Sequence, residues 1–231
     1  MSSFLVIGGS SGIGLALVTK LSKEGHTVYS TFNGTKKDDF DNVTYQKLDV
    51  LSDSFDLDFL PETLDGFAYC PGSINLKPFA RFSAEDLVED YKLQVVGATE
   101  ILKSILPRLK KSEKPSVLFF STIAVQQGFS FHSQVSASKG ALEGLTRALA
   151  AELAPSVRVN AIAPSLTETP LANRLINTAI KKEAQAEKNP LKRIGTVNDI
   201  TEAAAFLLSN KSSWVTGQII HVDGGLSAIK F

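Results

Sequence analysis

An α/β fold is what this sequence predicts: a doubly wound parallel sheet of about seven strands flanked by helices, in a single domain spanning residues 1–231. Three observations carry that expectation. Short, nearly uninterrupted apolar runs alternate with longer amphipathic stretches, the pattern of strands buried on both faces by crossover helices. The first apolar run leads directly into a glycine-rich turn and then a helical pattern. A chain of 231 residues with 43% hydrophobic content can bury one sizeable core.

In order, residues 4–7 read as the first strand and residues 14–24 as a helix stopped by Gly25. The runs TVYSTF (27–32), VTYQKL (43–48), GFAYC (66–70), SVLFFS (116–121), VRVNAIA (157–163) and QIIHV (218–222) read as the other strands. Helices are expected near 83–106, 133–153 and 197–209. Residues 166–193 differ in being polar and rich in Lys and Glu, with Leu171, Leu175, Ile176 and Ile180 at helical spacing. That pattern fits either an amphipathic flap or a plain surface helix.

Lys and Arg together number 24, as do Asp and Glu, so no excess of positive charge points to nucleic acid or an anionic membrane. The single cysteine, Cys70, forbids an internal disulfide and leaves no cysteine cluster for a metal. A reducing, cytoplasmic setting is the expectation. The opening MSSFLVIGGSSGIG has no charged leader, and glycine breaks its apolar run, so it reads as neither signal peptide nor membrane span.

IGGSSGIG, residues 7–14, sits between the first strand and the first helix. Gly8 permits the tight turn, Gly12 lets the backbone approach a diphosphate, and Gly14 allows close helix–strand packing. The helix N-terminus adds N–H groups and the positive end of a dipole. A glycine triplet alone is a weak signal. Its strand–turn–helix context makes a Rossmann-type dinucleotide site the reading. Ligands of such sheets bind beyond the carboxyl ends of the strands, an edge that collects residues 8–14, Phe32, Asp49, residues 70–73, Ser121, Thr122 and residues 164–169.

The glycine spacing, GxxxGxG, resembles that of the short-chain dehydrogenase/reductase family, and the resemblance runs through essentially the whole chain. KLDV (47–50) is similar to the family's Asp–Val pair, and CPGS (70–73) stands where it has Asn-Asn-Ala-Gly. RVNAIAPSLTETP (158–170) resembles its Asn-x-x-x-Pro-Gly-x-x-x-Thr segment, with Ser165 in place of the glycine. WVTGQIIHVDGG (214–225) is similar to its C-terminal signature. The resemblance implies a nicotinamide dinucleotide, with Gly8, Ser10, Ser11, Gly12, Ile13 and Gly14 around the diphosphate. Asp49 and Val50 would meet the adenine, Cys70 and Gly72 would lie beside the cofactor, and Lys139 would hold the nicotinamide ribose. Pro164, Thr167 and Thr169 would contact the nicotinamide end.

Family members that prefer NAD usually carry an Asp at the end of the second strand. That position here is Phe32, followed by Asn33 and Gly34, so nothing acidic repels a 2′-phosphate. Lys36 and Lys37 follow closely, either as phosphate partners or as solvated loop charges. The expectation is NADP(H) over NAD(H).

The family's chemistry uses a Tyr, a Lys four residues on, a Ser thirteen residues before the Tyr, and an Asn on an earlier helix. In HSQVSASKGALEGL (132–145) the lysine is Lys139, which puts Val135 at the tyrosine position. The serine position falls on Thr122 and the asparagine position on Gln94. Valine cannot move a proton, and loss of general acid–base catalysis costs about 10²–10⁴ in rate. None of Tyr29, Tyr45, Tyr69 or Tyr91 is near in sequence. His132, with an ordinary pKa of about 6.5, is either a substitute proton carrier or a loop histidine without a role. Thr122 either donates to a substrate carbonyl or is satisfied by backbone. Ser133 and Ser136 read as a helix cap and an exposed helix residue.

The function expected is NAD(P)(H)-dependent oxidoreduction of a small carbonyl, alcohol or activated double bond by a non-standard proton relay. The alternatives are a nucleotide-binding or scaffold protein without catalysis, and a non-redox isomerase or dehydratase. The resemblance also implies a homotetramer or homodimer, packed partly through the helices near 83–106 and 133–153.

Overall fold

The computed structural model describes residues 1–34 and 37–230, so the expected phosphate partner Lys36 lies outside the described residues. The strands are β1 (Ser3–Ile7), β2 (Thr27–Phe32), β3 (Val43–Lys47), β4 (Gly66–Tyr69), β5 (Ser116–Phe120), β6 (Arg158–Pro164) and β7 (Ile219–Val222). The helices are α1 (Gly12–Lys23), α2 (Ala84–Tyr91), α3 (Gly97–Leu109), α4 (Ser133–Leu153), α5 (Asn173–Ile176), α6 (Ala179–Ala186) and α7 (Val197–Leu208). All strand pairs are parallel, in the order β3-β2-β1-β4-β5-β6-β7. The chain therefore starts in the middle, winds to one edge, returns past β1 and winds to the other. The switch between β1 and β4 opens the crevice where such sheets bind ligands.

Alternate residues of each strand feed opposite cores, because side chains of an extended chain point to opposite faces. Leu5, Ile7, Phe67 and Phe119 pack with Ile101 and Ile105 of α3 and Leu142 of α4. Their neighbours Phe4, Val6, Ala68 and Leu118 pack with Leu17 and Leu21 of α1 and with Ile200 and Leu207 of α7. This two-sided burial explains why the strands read as continuous apolar runs.

The seven expected strands are all present, each within a residue or so of its expected limits. Two helical expectations need correction. The stretch 83–106 is not one regular helix: a π-helical turn, Lys92–Val96, separates α2 from α3, which runs on through Pro107 to Leu109. The apolar residues of 166–193 do not line a single helix. Thr178 caps α6 by accepting from Lys181 N at 3.2 Å, which splits Leu175 and Ile176 on α5 from Ile180 on α6. Both ends of that segment are tied down. Thr167 pairs with Gly195, and Asn189 Nδ2 donates to Asp223 O at 2.7 Å.

Fully buried Asn160 locks β6 to the approach to β7. Its Nδ2 donates to Val215 O at 2.9 Å, and its Oδ1 accepts from Gln218 N at 3.0 Å. Asn160→Ala strands both backbone groups and is expected to cost about 2 kcal/mol, read from the urea midpoint at unchanged slope.

Candidate functional site

The turn after β1 is built by close backbone approach. Gly8 has φ +75° and Gly12 φ +53°, both in the left-handed region that favours glycine. A Cβ at Gly14 would sit 2.3 Å from Gly8 O, so α1 folds back onto the turn only without a side chain there. Gly9, which the glycine spacing passes over, is just as constrained: its Cβ would fall 2.0 Å from Ser30 Oγ. Thr31 Oγ1 accepts from Gly8 N at 3.0 Å, and Tyr45 donates its hydroxyl to Gly9 O at 2.9 Å. Ser11 occupies the N-cap of α1 in extended conformation, and no side chain caps this terminus. Its N–H groups and dipole end are available to an anion beside Ser10, Ser11 and Ile13.

Around this turn the other strand ends converge. Cys70 N donates to Ile7 O at 3.0 Å, which sets Pro71 against Gly8. Burial pushes the Cys70 thiol up to about 12, as befits an unreactive cysteine. Thr169 lies over the turn, 3.5 Å from where a Cβ of Gly12 would be. The segment after β6 is folded by its own side chains. Thr167 Oγ1 donates to Ser165 O at 2.9 Å, and Thr169 Oγ1 accepts from Ala172 N at 3.2 Å. Pro164, the last residue of β6, pairs with Val222. On the other wing, Phe32 ends β2 buried and Asn33 is exposed beyond it. Val50 is buried, while the exposed Asp49 accepts from Leu51 N at 3.0 Å.

Lys139 is only 8% exposed and donates from Nζ to Phe120 O at 2.7 Å. Burial pulls its ammonium down to about 8, partly offset by attraction to Asp90. Gly72 brings this lysine and Gln94 together: a Cβ there would lie 3.7 Å from Lys139 Nζ and 3.5 Å from Gln94 Oε1. Val135, one turn earlier on α4, is buried. The two buried tyrosines are engaged elsewhere. Tyr69 donates its hydroxyl to Leu93 O at 2.6 Å, with its phenol pushed well up by burial, and Tyr45 is committed to Gly9 O.

Thr122 follows β5 and its hydroxyl oxygen accepts from Ala124 N at 3.3 Å, which leaves the hydroxyl hydrogen to donate elsewhere. His132 precedes α4 with its ring against Phe129 and Nδ1 2.8 Å from Ser130 O. Ser133 is the first helical residue and not the cap, a position taken by His132. Ser136 is not simply exposed either, since it donates to Ala124 O at 2.9 Å.

Sequence spacing did not single out Asp90, which is 5% exposed on α2. Both its oxygens accept from Gln94 Nε2, each at 2.8 Å, and Oδ1 also accepts a short hydrogen bond from Ser73 Oγ. The i, i+4 pairing of Asp90 with Gln94 was the available signal. Asp90 and Ser73 also line a cleft of about 760 Å³, with Val50, Leu93, Gly97 and Gln134 among its other walls.

The chain matches, over residues 8–227, the profile of a family described as Enoyl-(Acyl carrier protein) reductase. It is 32% identical to a tropinone reductase homolog of Arabidopsis thaliana, over 98% of this chain and 91% of the relative. It is 37% identical to the short-chain dehydrogenase/reductase SDRA of the same plant, over 68% of this chain and 62% of that protein. The crystal structure of a short chain dehydrogenase family protein from Francisella tularensis superposes with a TM-score of 0.88 at 25% identity, covering 99% of this chain and all of that one. With glycine turn, sheet order and sequence in agreement along its length, the chain belongs to the short-chain dehydrogenase/reductase family and is an oxidoreductase of that type.

Proposed function

We propose that the protein is an NADP(H)-dependent oxidoreductase that interconverts a small carbonyl compound and its alcohol, or reduces an activated double bond, with a proton relay that does without the family's tyrosine. The observation that carries this reading is the meeting, at one sheet edge, of an uncapped helix N-terminus behind a glycine turn and a buried ammonium at Lys139. The orphaned acceptor Gln94 Oε1 beside that ammonium fits a hydroxyl-rich ligand. When bound, the nicotinamide supplies or accepts a hydride.

In this reading the turn from Gly8 to Gly14 holds the diphosphate, Asp49 and Val50 border the adenine, and Lys139 holds a ribose hydroxyl. Phe32 and Asn33 leave room for a 2′-phosphate that an acidic residue there would repel. Pro164, Thr167 and Thr169 frame the nicotinamide end, beside Cys70 and Gly72. Thr122 donates its hydroxyl to the substrate oxygen. With valine at 135 the proton reaches that oxygen from a solvent-linked group, for which His132 is the nearest ionisable candidate in sequence. Residues 166–193 act as a flap hinged where Thr167 pairs with Gly195. The working protein is a cytoplasmic homodimer or homotetramer.

Three measurements test this. NADPH at millimolar concentration is expected to raise the melting temperature, and more than NADH does, since a ligand of the folded state stabilises it. No shift with either nucleotide rejects the cofactor, and a shift without turnover on carbonyl and enone panels leaves a binding protein. Lys139→Met is expected to weaken NADPH binding by about tenfold, the loss of a charged hydrogen bond. In the unsubstituted protein affinity should fall as pH rises through about 8, because the ammonium that donates to the ribose loses its proton there. Titration calorimetry across that range reads both effects. Val135→Tyr places a phenol one turn from Lys139 and is expected to raise kcat by about 10²-fold or more; an unchanged kcat would show that the protein has another proton donor.

A further inference from the structure

Three polar groups meet behind Gly72, and they are arranged in a definite direction. Gln94 is fully buried, and an amide in such a place can point either way until its neighbours decide. Here they decide: Asp90 has only acceptors, and both its oxygens take Gln94 Nε2 at 2.8 Å, so the amide oxygen must face away from Asp90. Gln94 Oε1 has no hydrogen-bond partner and faces Gly72. On the same side of Gly72 stands Lys139 Nζ, with three donors of which Phe120 O takes one. An acceptor without a donor thus shares a space with an ammonium that has donors to spare. A hydroxyl group is the smallest ligand feature that serves both, donating to Gln94 Oε1 and accepting from Lys139 Nζ. The absence of a side chain at Gly72 leaves room for it.

We propose that Asp90 is a positioning residue: it fixes the Gln94 amide so that Gln94 Oε1 and Lys139 Nζ together grip one hydroxyl, a ribose hydroxyl of the dinucleotide in the working enzyme. The identity of that hydroxyl rests on the cofactor reading above, whereas the orientation by Asp90 does not. Ser73 also donates to Asp90, and both line the 760 Å³ cleft. The titratable groups that face Lys139 are Asp90 from α2 and the Cys70 thiol just after β4, which burial keeps neutral. Glu143, one turn on along α4, is turned to Ser121 Oγ and Arg147. Asp90 is therefore the one carboxylate among them, and its removal bears directly on the lysine charge.

The test is an exchange of functional groups. Asp90→Asn removes the charge and allows the Gln94 amide to turn over. The double variant Asp90→Asn with Gln94→Glu reverses the pair, so that an amide at position 90 would donate to one oxygen of a carboxylate at position 94 while the other oxygen faces Lys139. The single variant is expected to weaken NADPH binding by about tenfold, and the double variant to recover most of that loss. In cofactor-free protein, NMR of lysine labelled at Cε should show the Lys139 pKa falling in the single variant and rising again in the double. An affinity and a lysine titration unmoved by Asp90→Asn, or a double variant no better than the single, overturns the proposal. If the single variant does not fold, the double is compared with the unsubstituted protein, and loss of binding there overturns it. Should the unsubstituted protein bind no nicotinamide nucleotide, the cofactor reading fails, and the lysine titration still decides the role of Asp90.

Discussion

Every strand of the sheet runs the same way, and that one constraint gathers the loops of the candidate site on one edge. Parallel strands need crossovers, the crossovers must cover both faces, and the loops that enter them all leave from the carboxyl ends. Starting from β1 in the middle, the chain can wind outward in only two directions, so the loops after β1 and β4 diverge and leave a crevice between them. The contacts that finish the crevice are made at its glycines. A Cβ at Gly14 would run into Gly8 O, one at Gly8 would crowd the Pro71 ring, and Gly12 lies under Thr169 at ordinary contact distance.

Within that edge the site is organised by one ammonium placed out of water. A buried lysine must be compensated or lose its charge. Lys139 answers with a carbonyl at its tip and a buried carboxylate at a distance, and that carboxylate also accepts from the Gln94 amide. Val135 adds nothing polar to this arrangement, which makes the charge balance around Lys139 depend on α2 and the π-helical turn and not on its own helix.

The sheet was legible because strands buried on two faces are apolar at every position, whatever their neighbours, and Gly25 and the glycine turn marked the first crossover. The glycine loop and Lys139 could be picked out because each stands in a short motif, although their partners in space, such as Thr31, Tyr45 and Phe120, lie far along the chain. The π-helical turn was not, since Lys92–Val96 carries an ordinary helical composition and its extra residue is stabilised by a tertiary contact, the Tyr69 hydroxyl on Leu93 O. Nor was the break at Thr178, where capping by a local side chain overrides an apolar spacing that suits a longer helix. Gly9 escaped because what constrains it, Ser30, lies far along the chain, whereas Asp90 carried a local signal in its i, i+4 spacing to Gln94 that a helix-surface pair does not distinguish from a buried one.

The π-helical turn makes this part of the chain sensitive to length as well as to composition. Gly97 N reaches back five residues to Lys92 O, and the carbonyl of Leu93 is thereby released to accept from Tyr69. Deleting one residue here would give an ordinary helix with better local hydrogen bonds, yet everything after it would be turned by about 100° relative to α2. Gly97, where a Cβ would come within 2.7 Å of Tyr69 Oη and 3.0 Å of Val50 O, would be replaced at that contact by a residue with a side chain. Ile101 and Ile105 would rotate out of the core with it. A frame of five residues between Tyr91 and Gly97 is therefore a fixed quantity in this protein, and drift in chain length has to be absorbed elsewhere, in the exposed loops between strands.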